Sequence, residues 1–178
     1  MYFDKHMEYA VAATACAAAG ALFDIKTRKI PNRLVLAGLF LGLLLHAICD
    51  GGWGLLDSFG AAVLSGFIFF FFYLMGGMGG GDVKLVAAVS AIAGMSNVPY
   101  LLILTALTGG IMALGLAVLR GRLKDTIVNI GTLTVHHLGH GLSPHPELNV
   151  QNNNTLRLPY GVAIALGCTL TFCLRGVQ

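Results

Sequence analysis

Charge is scarce in this chain: only 11% of its 178 residues are Asp, Glu, Lys or Arg, less than half of the roughly 25% usual in soluble domains. With 56% of its residues hydrophobic and a mean hydropathy of +0.78, neither a water-soluble globule nor a disordered chain fits. Cysteine is limited to Cys16, Cys49, Cys168 and Cys173. All lie in or beside apolar runs and none forms a CxxC pair, so neither a zinc knuckle nor a disulfide frame is indicated. They read as small core residues. The chain has no Gly-Lys dipeptide, and no register of its glycines spells GxGxxG, which excludes the common phosphate loops. The formal charge of +3 reads as a topology signal, and no nucleic-acid partner is expected.

What is abundant is apolar length. Runs cover residues 9–23, 34–49, 55–75, 83–94, 100–119 and 158–174. A helix rises about 1.5 Å per residue and the hydrocarbon core is about 30 Å thick, so the third and fifth span it comfortably and the fourth looks short. Charge placement decides whether the fourth crosses, because cytoplasmic loops are enriched in Lys and Arg. If all six cross, Lys26, Arg28, Lys29, Arg33, Lys84, Arg120, Arg122, Lys124 and Arg157 share one side, nine against Lys5 and Arg175. If the fourth does not cross, the split is six against five. The expectation is therefore an all-α polytopic membrane protein with about six spans, forming one domain over 1–178. Its N-terminus lies outside, and the loops 24–33, 76–84 and 120–157 face the cytoplasm. A cleaved secretory signal at the N-terminus is the lesser alternative, since Asp4 and Glu8 beside Lys5 leave its first residues without net positive charge.

Two cytoplasmic loops carry candidate chemistry. The segment Asp24-Ile-Lys26-Thr-Arg28-Lys-Ile-Pro31-Asn32 follows the first span directly. Pro31 ends any helix there, and Asn32 or Arg33 starts the next. A positive-inside loop accounts for the basic residues but leaves Asp24 at the apolar boundary, where a carboxylate is costly unless paired or used. The segment Gly76-Gly-Met-Gly79-Gly-Gly81-Asp82-Val-Lys84 opens the fourth run. Its bland reading is a flexible loop with Asp82 as helix N-cap. Parity joins the two: Asp24 follows one crossing and Asp82 three, so both emerge on the same face. Two carboxyls sharing a site can activate water against a peptide bond, one as base and one as acid. Helix dipoles favour Asp82, at a helix N-terminus, as the ionised base and Asp24, at a C-terminus, as the protonated acid.

These segments, with Leu158-Pro159-Tyr160-Gly161, resemble the three motif regions of the type IV prepilin peptidases, GxGD-type aspartic proteases of the bacterial inner membrane. The short form looks most like the peptidases serving Flp (tight-adherence) pili. The resemblance implies Asp24 and Asp82 as the catalytic pair, with Gly79, Gly81, Lys84, Lys26, Pro31, Asn32, Pro159 and Tyr160 shaping the site. It implies a prepilin or pseudopilin substrate, cut on the cytoplasmic side after a glycine that ends a basic leader. The N-methyltransferase activity of larger members goes with paired Cys motifs in an N-terminal extension; with no CxxC and no room before Asp24, it is not expected here.

Other residues have plainer readings. Lys84 either holds Asp82 or snorkels to the interface, and Pro159 and Tyr160 suit the first turn of a span and its aromatic belt. His136, His137, His140 and His145 form the only histidine cluster. It lacks an HExxH glutamate, so no metal and no cofactor are expected. The long loop contains a modestly apolar stretch, with Ile127, Ile130, Leu133 and Leu138, that could lie along the membrane surface. Rival readings are a small ion or solute carrier, which would also use paired intramembrane acids, and a structural subunit of a secretion or pilus machine.

Overall fold

The computed structural model describes residues 2–121, most of 123–133, and 158–175. All regular structure among them is helical: α1 (Tyr2–Thr27), α2 (Asn32–Leu74), α3 (Gly80–Ala93), a 3-10 turn (Met95–Asn97), α4 (Val98–Leu119) and α5 (Tyr160–Arg175). Three helical stretches, His6–Thr27, Asn32–Leu74 and Met95–Leu119, are long and apolar enough to cross a membrane. α3 and α5, with 14 and 16 residues, are shorter.

A straight helix of 43 residues would extend about 65 Å, and α2 does not do so. Gly51, at φ 68° and ψ −152°, breaks it into residues 32–50 and 52–74. Both halves pack on α3. Nearest the break, His46 Nε2 donates to the Ile92 carbonyl (3.2 Å) and Ser58 Oγ to the Ala91 carbonyl (2.7 Å). Further from it, Gly38 faces Ala88 and Gly66 faces Ala87. Moving away from Gly51 in either direction leads back along α3, so α2 is a helical hairpin clasping that helix. The sequence reads the same two runs, 34–49 and 55–75.

α3 is the centre of the bundle. Leu85, Val86, Ala88, Val89, Ser90, Ala91 and Ile92 are fully buried, against α1, α2 and α5. Its shortness follows: a helix sheathed in protein need not match the lipid thickness by itself. The outer faces are apolar, with Phe40, Ile48, Trp53, Phe67 and Ile111 each more than half exposed, a surface that water would not tolerate. α1 packs in this core through fully buried Ala13 and Ala17 and runs along α5. Cys16 and Cys168 are buried as expected of small core residues; Cys173, by contrast, is exposed, and Cys49 is half-buried.

Candidate active site

Two chain reversals and the start of α5 bring the site together at one end of the bundle. α1 ends at Thr27, beyond which Arg28 takes the left-handed conformation (φ 55°), a helix-stopping geometry. Asp24 thereby sits in the last turn, 8% exposed. Pro31 is the N-cap of α2 and Asn32 its first residue, as expected. The end of α2 is closed by a Schellman motif: Gly76 donates to the Tyr73 carbonyl and Gly77 to that of Phe72. Gly76 takes φ 77°, a conformation glycine adopts without strain. Three residues later Gly79 caps α3, which puts Asp82 at its third position. Asp82 is therefore not the N-cap itself; its Oδ2 accepts the Gly79 N–H from inside the helix at 3.2 Å, half of a capping box.

The two carboxyls come within electrostatic reach of one another. Asp24 Oδ2 accepts the Gly161 N–H at 2.9 Å, a bond between residues 137 apart in sequence. Asp82, ahead of the apolar run that opens at Val83, is pushed up to about 7 by burial and by the neighbouring Asp24 charge, against the pull of the Gly79 N–H. At Asp82, removal from water and a like charge outweigh the α3 N-terminus.

The remaining expected residues divide. Gly81 packs on Ile30, where an added Cβ would lie 3.3 Å from the Ile30 Cβ; at Gly79 one would lie 3.0 Å from Asp82 Oδ2. Pro159 immediately precedes α5, and its carbonyl accepts the Val162 N–H. Tyr160 packs on Gly109 of α4 and lies within reach of the Asp82 charge. Lys84 does not hold Asp82; its Nζ donates to Asn32 Oδ1 at 3.2 Å, tying α3 to the start of α2. Lys26 is exposed in the last turn of α1. Gly161 was missed as a functional position, although the Pro-Tyr-Gly sequence drew attention to its neighbours. An added Cβ there would stand 3.0 Å from the Asp24 Cβ and 3.2 Å from the Ala21 Cα, so any side chain would press on the Asp24 turn. No cluster of three or more metal-ligating side chains occurs among the described residues. The His136, His137, His140 and His145 group, and the loop stretch reaching Leu138, lie outside them.

With this geometry in hand, comparison with known proteins is decisive. A profile of the type IV leader peptidase family matches residues 11–114, more than half the chain. The protein belongs to that family. Among curated relatives, a prepilin leader peptidase/N-methyltransferase of Neisseria gonorrhoeae is 33% identical over 107 residues, 56% of this chain and 37% of the relative. One of Aeromonas hydrophila is 31% identical over 116 residues, 61% of this chain and 39% of the relative. The leader peptidase HopD of Salmonella typhimurium is 33% identical over 92 residues, 48% of this chain and 59% of HopD. The matched part thus spans less than two thirds of each relative. No solved structure matches the chain. Family membership and the apolar helices together make this an integral membrane protein.

Proposed function

We propose that the protein is an aspartic endopeptidase that removes the basic leader from type IV prepilins or pseudopilins, of the Flp class, at the cytoplasmic face of the bacterial inner membrane. The observation that carries this reading is the convergence of Asp24 and Asp82, from the end of α1 and the start of α3, in a site where the Asp24 charge reaches Asp82. Their position at helix ends, away from the middle of the bundle, favours a protease over a carrier. The hairpin at Gly51 and the nine-to-two charge split support six crossings with the dyad on the cytoplasmic side. Methyl transfer is no part of the proposal, because none of the four cysteines forms a CxxC pair.

In the proposed reaction the shared proton resides on Asp82, as its raised affinity for protons favours. Asp24, held by the Gly161 N–H, is the base: it takes a proton from water as the oxygen attacks the scissile carbonyl carbon. Asp82 donates its proton to the carbonyl oxygen, giving a tetrahedral diol. Asp24 then passes its proton to the departing amine, the C–N bond breaks, and one diol hydroxyl returns its proton to Asp82 as the carboxylic acid forms.

Purified protein in detergent, incubated with a leader-bearing pilin, should generate one new N-terminus immediately after the leader glycine. Intact pilin after prolonged incubation with properly folded protein would overturn the assignment. Reporter fusions that place Arg122 outside while Arg28 is inside would overturn the six-span arrangement.

A further inference from the structure

α1 and α3 pack together where Gly20 faces Leu85. One turn beyond that contact, toward the site, stand Asp24 on one helix and Gly81 with Asp82 on the other. From Asp24 the chain continues into a turn with little freedom. The Arg28 N–H donates to the Asp24 carbonyl at 2.9 Å, and the Thr27 hydroxyl lies 2.9 Å from the carbonyls of both Phe23 and Lys29. Pro31 holds φ at −64°. This turn is fixed to α3 at two points: Ile30 packs on Gly81, and Lys84 Nζ donates to Asn32 Oδ1. The first contact is apolar and belongs to the edge of the core. The second joins two exposed side chains, and a bond of that kind adds little to stability. Stability would not choose it either, since it brings an ammonium to the first turn of α2, the positive end of that helix dipole. The proton affinity of Asp82 answers to burial, to Asp24 and to the Gly79 N–H, and not to Lys84, so charge on the dyad does not explain the bond.

Resting on the peptidase reading above, we infer that Lys84 and Asn32 are positioning residues for the dyad: their bond holds the turn between α1 and α2 against the start of α3, and so fixes where Asp24 stands relative to Asp82. Neither acts on the scissile bond itself. With the bond made, the stiff turn keeps the end of α1 in register with α3. With it broken, the turn pivots about Ile30 and carries Asp24 with it. A displacement of about 1 Å at reacting groups costs about 10²-fold in rate, whereas one hydrogen bond can withhold only about tenfold of the competent population. The smaller figure sets the expected effect.

The test is a double-mutant cycle on cleavage of a leader-bearing pilin, with thermal midpoints measured on the same samples. Lys84→Met keeps the stem and loses the donor; Asn32→Leu keeps the volume and loses the acceptor. Each should lower kcat about tenfold with KM within about twofold of native. The midpoint should barely move, and the double variant should be no slower than either single one. Asn32→Asp keeps an acceptor for Nζ, so it should retain at least about half of the native kcat, and should lose about tenfold when combined with Lys84→Met. Losses that multiply to about a hundredfold in the double variant, or that follow a large fall in midpoint, would overturn the positioning role while leaving the peptidase intact. So would a rise in KM confined to Lys84→Met, as expected if the ammonium binds substrate, or native turnover in both single variants, as expected of a lysine that merely reaches for the interface. Absence of cleavage by the native protein would instead overturn the peptidase reading, and the positioning role with it.

Discussion

The two ends of the central helix α3 are each attended by two aspartates, and they use them in opposite ways. At the C-terminal end Asp57 accepts the Met95 N–H at 2.8 Å and Asp50 accepts the Tyr9 hydroxyl at 2.6 Å. Each carboxylate there has a donor from another element. The last carbonyls of α3 are closed in the same manner, Ser90 by the Gly94 N–H, Ala91 by Ser58, Ile92 by His46 and Ala93 by Asn97. Such satisfaction is what a helix end buried away from water requires. At the N-terminal end burial first, and then the charge of neighbouring Asp24, raise the proton affinity of Asp82. One end is built to be inert. The other raises the proton affinity of a buried acid, which is a chemical capacity and not a structural need.

The sharpest way to break this contrast is to remove one acid from the dyad. Asp24→Asn and Asp82→Asn should each lower kcat by at least about 10³-fold, with the double variant no worse, because groups acting as a unit fail together. Asn is nearly isosteric and relieves a buried like-charge contact, so both variants should accumulate in the membrane normally. Substantial cleavage by either single variant would mean that the convergence of the two carboxyls is only architectural.

A smaller effect is expected from the groups that set the dyad in place. Gly161→Ala forces Asp24 away from the amide that holds it, and Gly79→Val crowds Asp82 Oδ2 at a point already 3.0 Å from an added Cβ. Each should lower kcat/KM by about 10- to 100-fold, roughly 1.4 to 2.8 kcal/mol of transition-state stabilisation. Measured on protein of unchanged abundance, normal turnover in both would reduce the glycines to a linker.

Much of this site is legible in the sequence, and the failures have a common cause. Pro31 and Asn32 mark the start of α2, Pro159 and Tyr160 that of α5, and the order of the apolar runs puts Asp24 and Asp82 at one end of the bundle, all from local chemistry and counting. The raised proton affinity of Asp82 is not legible, because the helix dipole can be read from position but burial cannot. Nor are the partners of Lys84 and Asp24: Asn32 and Gly161 lie 52 and 137 residues away, and no local pattern signals either contact. The role of Tyr160 turns likewise on Gly109, across the fold in α4.

Several-fold effects should follow from pH. With Asp82 titrating near 7, activity should fall as pH rises through about 7 and the acid loses its proton; it should also fall in acid, as the base takes one up. Those two limbs belong to the pair. The linked stability has a definite sign. A carboxyl whose folded value lies above its unfolded one binds its proton more tightly when folded, so this contribution is fully present below about 4 and is lost as pH rises through about 7. Thermal midpoints in detergent at pH 5 and pH 8 should therefore differ less in Asp82→Asn than in the native protein. An equal difference in the two would place the titrating group elsewhere.

The smallest effect on catalysis is expected at the inert end, and it tests the contrast from the other side. Tyr9 is buried, its ring stacks on His46 at 4.3 Å between centroids, and its hydroxyl donates to Asp50. Tyr9→Phe keeps the stack and deletes only the hydrogen bond. A side-chain hydrogen bond contributes about 0.5 to 1.5 kcal/mol, so the thermal midpoint should fall by a few degrees. Turnover per folded molecule should stay within about twofold of native, because nothing at this end touches the dyad and α3 connects the two ends as one rigid, fully packed helix. A tenfold loss of kcat at unchanged stability would show that the Tyr9, His46 and Asp50 group communicates with the dyad through α3, and the division between an inert end and a reactive one would have to be abandoned.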